Sequence, residues 1–210
     1  MSLFKKTYIL ALLVLLAAGC NKNQGTNEGE ELTIFIFNDP HARIDNFAKI
    51  QYIIEEERQE NDVIFACAGD VFSGNPTVDF YEEKGLPIID MMNKVGVDVS
   101  ALGNHEFDYG QEMLTARMDQ SEFPWLCANV EMGSSGVPQP SAYTTVSVGE
   151  LDILFLSVLE TTGNQEGTIP LTHPLKVDGI SFERPENVLD RYENLKEKEA
   201  DRSFLFPFML

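Results

Sequence analysis

Three short apolar runs in the first half of the chain each lead into a polar loop that carries Asp, His or Asn. The runs cover residues 32–37, 63–68 and 97–102. Continuous apolar runs of this length are typical of strands in a parallel sheet that is covered on both faces. Because ligands of open α/β sheets sit beyond the carboxyl ends of the strands, we expect the three loops to meet at one edge.

These loops carry a set of side chains that suits divalent metal ions, namely Asp39, His41, Asp70, Asn104, His105 and Asp108. Carboxylate and amide oxygens together with imidazole are compatible with Mn, Zn, Co, Ni, Fe or Mg, and the mixture does not choose among them. Asp39 and His41 are two residues apart, so on an extended segment they point the same way. The sequence therefore predicts a metal site at this edge of the sheet.

Such a site has a defined chemistry when two metal ions share it. A carboxylate such as Asp70 can bridge two cations about 3.5–4 Å apart, which clamp the attacking and leaving oxygens of a phosphoryl displacement and activate a water. His105 can stabilise the transition state or protonate the leaving group, and Asp108 can hold its imidazole in the required tautomer. We expect Glu106 and Phe107 to shape the loop.

Overall charge restricts the partners of this protein. The formal net charge is −19 over 210 residues, with a sequence pI near 4.4. Such a surface repels nucleic-acid polymers and anionic membranes, so a phosphate would need local cations to attract it. The length allows one sizeable domain, and the sequence does not indicate an oligomeric state.

The first 31 residues are predicted to be a targeting segment and a linker. Residues 1–19 contain a basic start, a short apolar stretch and small residues before Cys20. This pattern resembles the lipobox of bacterial lipoproteins, in which Cys20 carries the lipid; an ordinary secretory signal is the alternative. Residues 20–31 then form a flexible tether. We therefore expect a protein of the bacterial cell envelope, anchored through Cys20 and facing the periplasm or exterior.

The remaining patterns complete an α/β arrangement. Helical spacing predicts helices over residues 45–60, 86–95, 111–121 and 183–200. Apolar and alternating patterns predict a strand over 125–130 and a hairpin formed by 143–148 and 151–159. Cys67 and Cys127 lie in strand-like runs; a disulfide between them is chemically possible, but we expect two free, buried thiols. His173 is expected to be an ordinary loop histidine.

The three loops resemble the first metal motifs of a known family. Asn-Asp-Pro-His at 38–41, Gly-Asp-Val-Phe-Ser-Gly-Asn-Pro at 69–76 and Gly-Asn-His-Glu-Phe-Asp at 103–108 are similar to those of calcineurin-like metallophosphoesterases, 5′-nucleotidase branch. The resemblance implies a layered α/β sandwich with mixed β-sheets flanked by helices. It also implies hydrolysis of nucleotides, as a 5′-nucleotidase or a 2′,3′-cyclic-nucleotide phosphodiesterase. It places two divalent metal ions on Asp39, His41, Asp70 and Asn104, and a catalytic pair at His105 and Asp108.

The resemblance covers residues 32–201 and then departs from the family pattern. The family needs further histidines from later turns, whereas this chain contains only His41, His105 and His173. Residues 202–210 read as an aberrant apolar tail or a final strand. We therefore expect a truncated domain that is incomplete at its C-terminus, with weak metal affinity and little turnover. The alternative is a non-catalytic remnant that at most binds one divalent metal weakly.

Overall fold

The computed structural model describes residues 31–195 and, for the backbone only, 202–207. The predicted signal segment 1–19, the lipid-bearing Cys20 and nearly all of the tether 20–31 lie outside the described residues. So do residues 196–201 and 208–210. Within the described ranges, no helix has the length and apolar character needed to cross a bilayer.

A four-stranded parallel sheet forms the centre of the fold. Its order is β1-β2-β3-β4, and the register pairs Phe37 with Cys67 and Cys67 with Ser100 at the carboxyl ends. The bounds are Leu32–Phe37 for β1, Asp62–Cys67 for β2, Val99–Ala101 for β3 and Trp125–Leu126 for β4. Because all four strands run in the same direction, the loops after β1, β2 and β3 leave from the same edge, as predicted.

Helices connect these strands. Their bounds are Phe47–Glu57 for α1, Pro76–Asp79 for α2, Leu86–Val95 for α3 and Gln111–Gln120 for α4. The helix α3 ends where predicted because Gly96 takes the left-handed conformation, with φ of 71°. A short 3-10 turn, Ile44–Asn46, precedes α1.

A second sheet covers the central one. Its strands are β6 at Tyr143–Val148, β7 at Leu151–Val158 and β9 at Arg202–Pro207, with β6 antiparallel and β9 parallel to β7. Ile153 and Phe155 of β7 are fully buried in one apolar cluster with Ile64 and Val99 of the central sheet. The fold is therefore a layered α/β sandwich. Helices pack against one part of the central sheet, and the second sheet packs against another part.

Two sequence predictions need correction. The strand predicted at 125–130 is split, because β4 belongs to the central sheet and β5, Val130–Glu131, pairs with β8, Ser181–Phe182. The helix predicted over 183–200 is reduced, in the described part, to α5 at Pro185–Val188 and a 3-10 turn at Leu189–Tyr192. Of these two elements only Val188 is buried. Leu195 is again helical, and residues 196–200 of the predicted helix lie outside the described residues. Cys67 and Cys127 are free and buried, as expected.

Candidate metal and phosphoester site

Backbone hydrogen bonds join the loop after β1 to the loop after β2. The Asp39 N–H donates to the Gly69 carbonyl at 3.1 Å, and the His41 N–H donates to the Asp70 carbonyl at 3.1 Å. The Ala42 N–H continues the pattern with the Val71 carbonyl at 2.8 Å. The two loops therefore form one unit that places the side chains of Asp39, His41 and Asp70 at the same edge.

This unit is held in a strained backbone conformation. Five residues other than glycine have positive φ among those described, and all lie in these two loops: Asp39, His41, Ala42, Asp70 and Ser73. Each such residue costs about 1–3 kcal/mol and persists only where the surroundings fix it. Strain concentrated beside titratable side chains is typical of a functional site.

Three side chains offer ligand atoms to one point. Donor atoms of His41, Asp70 and His105 all lie within 4.8 Å of one another. The His41 and His105 rings meet edge to face with centroids 4.5 Å apart, and the Asp39 Oδ1 is 3.6 Å from the His41 Nε2. One carboxylate with two imidazoles is a donor set that fits a divalent metal ion.

Asn104, the other predicted metal ligand, has a different contact. Its side chain is nearly buried and its Nδ2 donates to the Leu171 carbonyl at 2.9 Å. This bond uses the amide nitrogen and leaves the amide oxygen, the atom that ligates metals, for the site. His105, predicted for proton transfer, also offers a donor atom to this cluster. The sequence assigned it no role as a metal ligand.

His105 and Asp108 form a hydrogen-bonded pair. The His105 Nδ1 is 2.6 Å from the Asp108 Oδ2, so the other ring nitrogen, Nε2, is left for a ligand, a metal or a proton. This bond raises the pKa of His105 above its ordinary value. Burial works to raise the pKa of Asp108, but hydrogen bonds from His105 and Ser73 outweigh it and lower that pKa. The pair therefore favours a charged imidazole beside a carboxylate.

Glu106 joins the loops of the site through hydrogen bonds to their backbone. Its carboxylate is fully buried and accepts backbone hydrogen bonds from four residues: Asp70, Val71, Phe72 and Gly103. Burial, with the nearby charge of Asp70, raises the pKa of Glu106, and burial also raises the pKa of Asp70. A divalent cation beside these two carboxyl groups would favour their charged forms and lower both pKa values, which is compatible with a metal ion at this place.

Comparison with known proteins decides the family. Residues 32–207 match the calcineurin-like phosphoesterase family, a span that contains the whole site. The chain belongs to the calcineurin-like phosphoesterase family. The sequence resemblance is thereby confirmed, together with the α/β fold that it implied.

The sequence of this chain is similar to those of named nucleotide phosphoesterases. The 5′-nucleotidase of Vibrio vulnificus is 30% identical over 215 residues, covering 94% of this chain and 37% of the relative. The 2′,3′-cyclic-nucleotide 2′-phosphodiesterase/3′-nucleotidase of Haemophilus influenzae is 30% identical over 166 residues, covering 76% and 23%. The chain thus spans 37% and 23% of the length of these two relatives.

Solved structures agree on the fold. The 5′-nucleotidase precursor from Thermus thermophilus superposes with a TM-score of 0.71 at 22% identity, covering 84% of this chain and 36% of that one. A putative 5′-nucleotidase from Staphylococcus aureus gives a TM-score of 0.70 at 20% identity, covering 84% and 37%. Both similarities concern the arrangement of layers that positions the phosphoesterase site.

Several residues around the site were not singled out from the sequence. Ser73 contacts both members of the His105–Asp108 pair, at 3.0 Å and 2.5 Å. Thr172 reaches Asp108 at 3.4 Å from a loop 64 positions away. Ser73 lies in the motif at 69–76, three residues after Asp70, but spacing alone does not identify its partners.

Proposed function

We propose that this protein is a metal-dependent phosphoester hydrolase that acts on nucleotides. The observation that carries the proposal is the adjacency of two groups: the donor cluster of His41, Asp70 and His105, and the hydrogen-bonded pair of His105 with Asp108. The first group suits a divalent cation, and the second suits proton transfer at a leaving oxygen.

Four side chains would hold two divalent cations, namely Asp39, His41, Asp70 and Asn104. When bound, the cations neutralise phosphoryl charge and lower the pKa of water so that hydroxide is available near neutral pH. Asp70 is suited to a shared position because its backbone is fixed by Glu106 and its Oδ1 accepts a hydrogen bond from the backbone N–H of His105 at 3.0 Å. The identity of the metal is open among Mn, Zn, Co, Ni, Fe and Mg.

His105 would deliver the proton to the departing oxygen. Asp108 accepts a hydrogen bond from Nδ1, which leaves Nε2 as the ring nitrogen that can donate a proton to a substrate. Since the same bond raises the pKa of His105, the ring is charged over a wider pH range and can act as a general acid.

The nucleotide substrate is supported by the names of the relatives. They include 5′-nucleotidases and a 2′,3′-cyclic-nucleotide 2′-phosphodiesterase/3′-nucleotidase. The chain spans only part of their length, so the whole-protein activity is carried over here as a proposal. The strongly acidic surface would repel the phosphate of a nucleotide, so the local cations would have to attract it.

We further propose that the protein is lipid-anchored through Cys20 at the bacterial cell envelope. The support is the sequence alone: small residues before Cys20, after a basic and then an apolar stretch. Expression in a bacterial host with radiolabelled palmitate, followed by membrane fractionation, tests this. Label in the membrane fraction that is lost in Cys20→Ser supports the anchor, and unlabelled soluble protein contradicts it.

A second candidate is a chain that binds one cation without turnover. The observation in its favour is that residues 31–195 contain a single cluster of three potential His, Cys or carboxylate ligands, with Asp39 outside it. In that case the protein is a binding remnant of the family, and only one weak metal site is expected.

One experiment separates the two candidates. The purified chain is loaded with Mn²⁺ or Co²⁺ and assayed on AMP, 2′,3′-cyclic AMP and p-nitrophenyl phosphate, while calorimetry counts the bound ions. Hydrolysis that is abolished in His105→Ala and Asp70→Asn but kept in His173→Ala, whose exposed ring lies on a loop, supports the hydrolase. One bound ion with no turnover above free metal supports the remnant.

A further inference from the structure

Ser73 occupies a special position between the two members of the proton-transfer pair. Its Oγ donates to the Asp108 Oδ2 at 2.5 Å and lies 3.0 Å from the His105 Nδ1. The same Asp108 oxygen accepts from the His105 Nδ1 at 2.6 Å. The Ser73 Oγ, the His105 Nδ1 and the Asp108 Oδ2 therefore form a triangle in which each atom contacts the other two.

The direction of each bond in this triangle follows from the chemistry. The Asp108 carboxylate can only accept hydrogen bonds, so the Ser73 hydroxyl must donate its single proton to Oδ2. The Ser73 oxygen then has its lone pairs available toward His105, which makes it a second acceptor for the Nδ1–H. All three contacts therefore require a proton on Nδ1, which the charged ring and the Nδ1–H tautomer carry and the other neutral tautomer lacks.

The loop holds Ser73 in this position at a cost in backbone strain. Its φ is 59°, a conformation that residues with a side chain rarely adopt. Its N–H donates to the Tyr109 hydroxyl at 2.9 Å, and that hydroxyl donates to Asp79 at 2.5 Å. Asp79 also accepts the Gly74 N–H at 3.1 Å. Glycine would meet the backbone requirement more easily, so the strain points to a use for the hydroxyl.

We propose that Ser73 is a positioning residue that fixes Asp108 and the Nδ1–H tautomer of His105 for proton transfer. This inference rests on the proposed hydrolase function. Ser73 has no contact with a reacting atom in this assignment; it acts through Asp108. Thr172 provides an internal comparison, because it touches the other Asp108 oxygen, Oδ1, at 3.4 Å and has no bond to His105 among the described contacts.

The decisive variants are Ser73→Ala and Ser73→Gly. Both variants remove the hydroxyl. Ser73→Gly also relieves the strained φ, so its melting temperature should equal or exceed that of the wild type. If the hydroxyl matters, kcat of both variants falls by about 10-fold to 100-fold, the range for partners that orient a site histidine. The kcat of Thr172→Val should fall by a smaller factor. Wild-type kcat in Ser73→Gly would overturn the proposal.

A double-mutant cycle tests whether Ser73 acts through Asp108. In an Asp108→Asn background the triangle is already broken, so adding Ser73→Ala should lower kcat by less than about 2-fold. Multiplicative losses would show that Ser73 acts elsewhere and would overturn the assignment. Ser147→Ala is the matched control, because Ser147 donates to Asp152 at 2.6 Å in an exposed strand pair far along the chain. Its kcat should equal that of the wild type.

A spectroscopic measurement keeps the inference testable if the chain has no turnover. A hydrogen-bonded imidazole N–H gives a far-downfield proton NMR signal, and with three histidines in the chain a His105→Gln variant assigns it. We expect this signal in the wild type and in Ser147→Ala, and its broadening or loss in both Ser73 variants. An unchanged signal in both Ser73 variants would overturn the positioning role, while absent turnover alone would count only against the hydrolase proposal.

Discussion

Glu106 Oε1 accepts a hydrogen bond from the Val71 N–H at 2.6 Å, across a sequence separation of 35 residues. The bond connects the loop after β3 to the loop after β2. Since its other oxygen accepts from the Asp70 N–H at 3.1 Å, the carboxylate sets where the Asp70 backbone lies. A single buried side chain thus ties together the two loops that carry Asp70 and His105.

Glu106→Gln should weaken both folding and metal binding. Glutamine keeps the size of the side chain, but its NH₂ group would face backbone N–H donors and leave at least one of them without an acceptor. We expect the free energy of unfolding in urea to fall by about 1–3 kcal/mol. Because Asp70 loses its support, Mn²⁺ affinity by calorimetry should fall by about 10-fold to 100-fold.

The control for this prediction is Glu60→Gln, which changes an exposed glutamate. Its unfolding free energy should match that of the wild type within about 0.5 kcal/mol, the usual range for surface substitutions. Its Mn²⁺ affinity should be unchanged. If Glu106→Gln behaves like this control, the carboxylate does not position Asp70.

Gly103→Ala should damage the site through steric contact alone. An added Cβ would lie 2.6 Å from the Asp70 backbone nitrogen and 2.9 Å from its Cγ, so Asp70 would have to move. Overpacking of this kind costs about 1–3 kcal/mol of unfolding free energy. We also expect a weaker Mn²⁺ affinity, measured by calorimetry on the same preparation.

Gly136→Ala is the matched control for the glycine prediction. Gly136 has φ of 82° with nothing within 4 Å of an added Cβ, so alanine is strained there but collides with nothing. It should lose about 1–2 kcal/mol of stability and keep its metal affinity. Equal metal affinity in Gly103→Ala and Gly136→Ala would show that the close approach of Gly103 to Asp70 is not needed.

Sequence reasoning predicted the elements that are set by continuous local patterns. The apolar run 32–37 and the helix 86–95 have the predicted bounds, because burial and a Gly96 cap act within a few residues. The edge at which Asp39, Asp70 and His105 meet followed from the parallel direction of the strands. That rule depends on topology rather than on individual contacts, so it can be applied to a sequence.

The remaining features depend on contacts between distant segments. Nothing in the spacing of Thr172 or Leu171 indicates that they reach Asp108 and Asn104, more than 60 positions earlier. The predicted helix 183–200 showed helical periodicity, but in the described part of that stripe only Val188 is buried, while Leu189 and Tyr192 are half-buried. Periodicity reports a face that can be buried, and only the fold determines whether it is.

Asn129→Ala should destabilise the junction between the second sheet and β8. The buried Asn129 side chain donates to the carbonyls of Leu159 and Glu183, each at 2.7 Å, and accepts the Leu159 N–H at 2.7 Å. Alanine would leave these buried groups unpaired, at about 1–3 kcal/mol for each group left unsatisfied. Urea unfolding followed by circular dichroism measures the loss.

Asn187→Ala is the control for this position, because Asn187 is exposed in the short helix α5. Its midpoint in urea should stay at the wild-type value. A wild-type midpoint for Asn129→Ala as well would mean that the three hydrogen bonds of Asn129 are replaced without loss, and the assigned role of this side chain would be wrong.

Cys67 and Cys127 should resist alkylation while the chain is folded. Both thiols are buried, and burial raises the pKa of each to about 12, whereas the thiolate is the reactive form. At pH 8 the thiolate is then about one part in ten thousand, and this fraction rises tenfold with each unit of pH below the pKa. Iodoacetamide on a Cys20→Ser background, with peptide mapping by mass spectrometry, should modify neither residue in the native chain and both in urea. Labelling of the native chain at the rate of free glutathione would show that the segments around these two thiols open on the timescale of the experiment.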